Sequence, residues 1–161
     1  MLSSLAEEFS HEAPVAIEVL LARLVGATIL CGLIGLEREF RKNPAGLRTN
    51  MLIGLAAAVF ALVGLQLMHD FGDRPNTVQF DPIRLIEAIT AGIAFLAAGV
   101  VIYTRGDVKG LTTGASMWLS GAIGLCAGLG MWLVAVGATI AGVIILWLLR
   151  KTEVAAGMKE D

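Results

Sequence analysis

Leu33-Ile34-Gly35-Leu36-Glu37-Arg38-Glu39-Phe40-Arg41-Lys42-Asn43-Pro44-Ala45-Gly46-Leu47-Arg48-Thr49-Asn50 joins two long apolar runs and holds four of the chain's 12 lysines and arginines: Arg38, Arg41, Lys42 and Arg48. A soluble core has no use for a cationic connection between two such runs. A membrane protein does, because clustered lysine and arginine fix which side of the bilayer a loop occupies. The segment therefore points to class and topology together.

Composition agrees. The chain has 161 residues, of which 57% are hydrophobic and 16% charged, with a mean hydropathy of +0.78. That lies outside the usual range of globular domains. Its 19 glycines suit membrane helices, which tolerate glycine better than soluble ones. The length allows one membrane domain and little else. The basic face that nucleic-acid binding requires is missing.

Five runs approach the roughly 20 apolar residues that span a bilayer as a helix. They are Ile17–Leu36, Met51–Met68, Ile83–Tyr103, Leu111–Leu129 and Met131–Leu149. The last two are parted only by Gly128-Leu129-Gly130, where the chain must turn tightly. A single span with a re-entrant piece over Leu111–Leu149 is the alternative, but it would be nearly twice the thickness needed. The expected fold is an all-α integral membrane bundle of about five transmembrane helices. Residues 1–16 form the N-terminal segment, 17–149 the transmembrane domain and 150–161 the tail.

Charge sets the expected orientation. Arg38, Arg41, Lys42 and Arg48 share a side with Arg105, Lys109, Arg150, Lys151 and Lys159. The other side has Arg74 and Arg84 amid Asp70, Asp73 and Asp81. The positive-inside rule then puts the N-terminus outside and the C-terminus in the cytoplasm, which requires an odd number of spans. The acidic N-terminus has no lysine or arginine before Arg23, so the first run is expected to be retained and not cleaved as a signal peptide. Cys31 and Cys126 fall toward opposite sides of the bilayer, which argues against a disulfide.

Lipid removes the hydrophobic drive for helix association, so small residues must let backbones approach. The fourth run carries Thr112, Ser116, Ser120, Gly124 and Gly128 at every fourth position, a ridge along one face. Two readings stand: packing within one bundle, or a face between copies. A chain this small has few ways to enclose a pathway alone, so a homodimer or small homo-oligomer is expected.

Ionisable residues inside a span are functional candidates. Arg23 and Glu87 lie at similar depth from the outer end of the first and third runs, so an ion pair between them is expected. It serves either to hold helices or to gate an ion or proton. At the opposite end, Glu37, Arg38 and Arg48 gather with Asp107, Lys109, Thr112 and Thr113 on one membrane face. Thr49 and Asn50 suit the N-cap of the second run, and Asp107 or Thr112 that of the fourth. Two helix N-termini beside several arginines would attract an anion such as a lipid phosphate. No catalytic signature is present: His11 and His69 lack metal-ligand spacing, and there is no P-loop, dinucleotide fingerprint or nucleophile elbow. No cofactor or metal site is expected.

Four ordered motifs resemble the membrane domain of the MgtC/SapB family: Gly35-Leu36-Glu37-Arg38-Glu39, Pro44-Ala45-Gly46-Leu47-Arg48-Thr49-Asn50, Gly92-Ile93-Ala94-Phe95-Leu96-Ala97-Ala98-Gly99-Val100, and Val108-Lys109-Gly110-Leu111-Thr112-Thr113-Gly114-Ala115-Ser116-Met117-Trp118. The resemblance implies a bacterial inner-membrane protein of about five spans. The family is associated with adaptation to low magnesium and acid, and in some pathogens with survival inside macrophages. It implies a non-enzymatic role, through interaction with membrane complexes such as the membrane subunits of ATP synthase. An oligomeric ion or metabolite transporter is the alternative. The motif positions carried over as candidates are Glu37, Arg38, Gly46, Leu47, Arg48, Thr49, Asn50, Gly110, Leu111, Thr112, Thr113 and Trp118. Two departures from the family pattern are expected: Ala94 and Ala97 stand where glycine is usual, and the soluble domain that many members carry after the last run is not expected here.

Overall fold

The computed structural model describes residues 14–41, 43–71, 81–104 and 107–155. Five helices carry the fold: α1 (Ile17–Phe40), α2 (Leu47–Phe71), α3 (Pro82–Gly99), α4 (Leu111–Gly128) and α5 (Trp132–Ala155). Three of them, α1, α2 and α3, are long and apolar enough to cross a membrane, and Trp132–Leu148 of α5 is a shorter apolar stretch. The chain is an all-α integral membrane protein. Most of the expected segment 1–16 lies outside the described residues, and α5 runs past residue 149 into the expected tail.

Helix α4 is the least apolar of the expected spans and also the central one. It packs against all four other helices, with α1 and α2 also closely paired. The reason lies in its composition. Thr113, Gly114, Ser116, Ser120, Gly121, Gly124 and Gly128 are all buried, so protein takes the place of lipid around them. Small side chains shorten the distance between helix axes and let dispersion contacts accumulate. Gly124 shows the limit: a Cβ there would collide with the carbonyl oxygen of Gly54 on α2.

Two apolar clusters flank α4. On one side Met117 and Leu125 pack with Ile53, Ala57 and Ala61 of α2 and with Ile89 and Ile93 of α3. On the other, Ile123 and Ala127 pack with Ala27, Cys31 and Ile34 of α1 and Ala135 of α5. Helix α3 sits on this core with Ile93 over Gly121 and Ala97 against Gly114. Only Ile89 and Ile93 of α3 are fully buried.

The third expected span ran to Tyr103, but the helix ends at Gly99. Residues Ile102–Thr104 (β1) and Asp107–Lys109 (β2) instead form an antiparallel hairpin with Tyr103 opposite Val108. The run Val100-Val101-Ile102-Tyr103-Thr104 is β-branched and aromatic throughout, which favours a pleated strand over a helix. The hairpin feeds α4 through Gly110, whose φ of 89° is the left-handed conformation that glycine adopts without strain.

Candidate functional site at the two ends of the central helix

A chain of buried polar groups runs along the inside of the bundle. Asn50, fully buried, lies one turn into α2 and donates through Nδ2 to the carbonyl oxygens of Ala45 (3.1 Å) and Gly46 (2.8 Å). Its Oδ1 accepts from the Ser120 hydroxyl of α4 at 2.8 Å. The Ser120 carbonyl in turn accepts from the Cys31 thiol of α1 at 3.2 Å. One residue from each of α1, α2 and α4 thus closes the network. Both cysteines are free, but the expected separation across the bilayer does not hold: Cys126 packs against the same cluster that contains Cys31.

At the N-terminal end of α4, Arg38 is buried at 6% exposure in the last turn of α1. Its Nη2 donates to the Thr113 hydroxyl at 2.6 Å, while its Nε is buried without a partner. Glu37 forms an ion pair with Arg41 one turn on, yet neither of its buried carboxylate oxygens has a well-directed hydrogen-bond donor. Glu39 reaches across the connection and accepts from the Leu47 amide at 3.0 Å. A carboxylate there satisfies an orphan donor and complements the helix dipole. Gly46 leaves room for it, since a Cβ there would displace that carboxylate from the Leu47 amide.

At the other end of α4, Arg23 of α1 donates from Nη1 to the Gly128 carbonyl at 2.9 Å. It caps the last turn of the helix, where carbonyls lack intrahelical partners and a cation is favoured. The turn that follows uses Gly130 at a φ of 79°. The two arginines of α1 therefore hold α4 at both of its ends.

Several expectations are corrected. Arg23 and Glu87 do not pair: Arg23 is engaged with Gly128, whereas Glu87 stands exposed on α3. Thr49 and Asn50 do not cap α2, because the helix starts at Leu47 and Glu39 supplies the acceptor. Asp107 belongs to a strand, Thr112 lies inside α4, and the N-cap position of α4 is Gly110, with no side-chain cap. The expected ridge needs no correction: Ser116, Ser120, Gly124 and Gly128 are buried inside the protomer, which is the bundle-packing reading, and only Thr112 is exposed.

Of the motif positions, Arg38 bonds to Thr113, Asn50 bonds to the Gly46 carbonyl and to Ser120, and Glu37 pairs with Arg41. Arg48, Leu111, Thr112 and Trp118 are exposed, and Thr49 is half-buried. Lys42 and Arg105 lie outside the described residues. The functional partners missed in the sequence are backbone groups (the Gly128 carbonyl, the Leu47 amide) and Glu39, which stood in a quoted motif without an assigned role. Among the described residues, no three His, Cys, Asp or Glu side chains gather as a metal site would require.

The bundle, with apolar flanks and polar side chains committed to its interior, defines a polytopic α-helical membrane protein. The model of the MgtC family matches residues 24–155, and the chain belongs to that family. Among curated proteins it is 40% identical over 128 residues to Protein MgtC of Salmonella typhimurium, covering 80% of this chain and 51% of that one. It is 39% identical over 129 residues to Protein MgtC of Brucella abortus, covering 80% and 50%. With the Escherichia coli protein named "Putative magnesium transporter YhiD" it shares 36% identity over 126 residues, covering 77% and 57%. The chain thus spans about half of the length of these relatives. No solved structure matches.

Proposed function

We propose that the protein is a non-enzymatic regulator of the bacterial inner membrane that adapts the cell to magnesium limitation by binding another membrane complex laterally. The MgtC relatives and the magnesium named for YhiD supply the physiological setting. The observation that carries the mechanism is the use of five interior side chains as helix ties, with Arg38 Nε and the Glu37 carboxylate oxygens left without hydrogen-bond partners. Asn50, Ser120, Cys31, Arg38 and Thr113 bond to one another or to backbone, and all of them hold helices together. Outward, Leu133 is 89% exposed and Phe95 80%, which leaves apolar faces for lipid and helical partners. The positive-inside rule orients the Arg38 end toward the cytoplasm, and membrane subunits of ATP synthase are the partner class to test first.

The test is crosslinking in native membranes at low and normal magnesium, followed by mass spectrometry of captured proteins. Recovery of ATP-synthase subunits at low magnesium, reduced by Leu133→Ser on the exposed face of α5, supports the reading. Capture of nothing beyond the protein itself, together with magnesium flux in liposomes containing the purified chain, would replace it with the transporter reading that the YhiD name suggests.

A further inference from the structure

Helix α3 carries a second pattern on the side turned away from the bundle. Its core face is Ile89 and Ile93; the opposite face presents Arg84, Glu87, Ala91, Ala94 and Ala98, all exposed. Their spacing alternates three and four residues, which is the seam of a helix built to lie along another helix. In lipid such a face gains little from bulk and much from close approach, and three alanines provide a flat surface for that approach.

Charge identifies the occupant. Glu87 has no ion-pair partner among the described residues, although it lies about one and a half turns into an apolar helix, where an unpaired carboxylate is unfavourable. Arg84 sits on the same seam, one turn nearer the helix start. It is held only by a long contact of 3.8 Å from Nε to Asp81, with its side chain 84% exposed. Asp81 is already occupied in capping the helix, accepting from the Ile83 amide at 2.9 Å. One seam therefore carries both a cation and an anion, a single turn apart. That arrangement is self-complementary under a two-fold axis normal to the membrane, the symmetry that two identically inserted copies share.

We propose that α3 is a homodimer interface: two copies pack α3 along α3 in parallel through Ala91, Ala94 and Ala98, with Arg84 of each copy paired to Glu87 of the other. The interface is independent of the regulator reading, since it concerns the protein with itself. It leaves α5 free for other partners. Ala94 then lies between the two copies and not in the protomer core.

The experiment uses the full chain in membranes of expressing cells. Ala94→Cys is oxidised with copper phenanthroline beside Leu133→Cys on α5 and the unaltered chain, which reports any background from Cys31 and Cys126. A disulfide-linked dimer at position 94 alone is the expected result. No dimer at 94, equal dimer at both positions, or a crosslink from 94 to a different protein overturns the proposal. Dimer dissociation is then measured by energy transfer between labelled copies in nanodiscs. Glu87→Arg is expected to weaken the dimer about tenfold or more, because like charges would meet across the axis. Arg84→Glu combined with Glu87→Arg restores the pairing, and recovery to within about threefold is expected. Since both positions are exposed in the protomer, loss of the dimer cannot come from a broken core. An unchanged affinity in Glu87→Arg, or no recovery in the swap, overturns the charge pairing.

Discussion

Helices α3 and α4 have the same length, 18 residues each, and opposite fates. In α4 most residues are buried, and the buried ones include Thr113, Ser116, Ser120 and four glycines. In α3 only two isoleucines are. A soluble protein would place the more apolar helix at its centre. Here the more polar one is central, because lipid already accommodates isoleucine and phenylalanine and gives no reason to hide them. Hydroxyls and glycines gain from neighbours that hydrogen-bond or approach closely, so they collect other helices. In this chain, polarity and smallness decide burial.

The contrast breaks most severely at Gly124. A leucine there would enter the space of the Gly54 carbonyl, and an overpacked contact of this kind is expected to cost about 3 kcal/mol. The same change on α3, Ala94→Leu, faces outward and should shift protomer stability by no more than about 0.5 kcal/mol. Reversible SDS unfolding in mixed micelles measures both. Similar losses from the two variants would mean that α3 is packed as tightly as α4.

Asn50→Ala comes next. It removes two bonds to carbonyls and leaves the Ser120 hydroxyl without its acceptor, at an expected cost of about 1–2 kcal/mol. Its counterpart on α3, Thr90→Ala, bonds only within its own helix and should cost less than about 0.5 kcal/mol. The smallest pair compares charges. Arg23→Met loses the cap on the Gly128 carbonyl, about 1 kcal/mol, whereas Glu87→Gln should leave protomer unfolding unchanged. A large effect of Glu87→Gln on a monomeric sample would show that its carboxylate serves the protomer core.

The sequence carried the helix count well because the apolar runs and the cationic connection obey different rules and agree. Ser116, Ser120, Gly124 and Gly128 could be placed on a packing face from their spacing alone, though spacing does not say whether the face looks inward or toward another copy. Equal depth suggested that Arg23 would meet Glu87, but depth carries no information about azimuth, and the guanidinium found a main-chain carbonyl instead. Main-chain acceptors are the same at every residue, so no side-chain pattern marks them. The strands at Ile102 and Asp107 were hidden for a related reason: hydropathy counts valine and isoleucine as membrane residues while ignoring their preference for extended backbone. Glu39 carried no role in the sequence because its partner is the backbone amide of Leu47, eight residues on, at the start of the next helix.

The bond from Ser120 to Asn50 joins residues 70 positions apart. Translation delivers α1 and α2 to the bilayer long before α4. Until α4 arrives, the Asn50 side-chain oxygen lacks its hydroxyl partner and the Cys31 thiol its carbonyl. The α1–α2 hairpin is therefore an unfinished intermediate that carries its own marker of incompleteness. Arrival of Ser120 removes the marker.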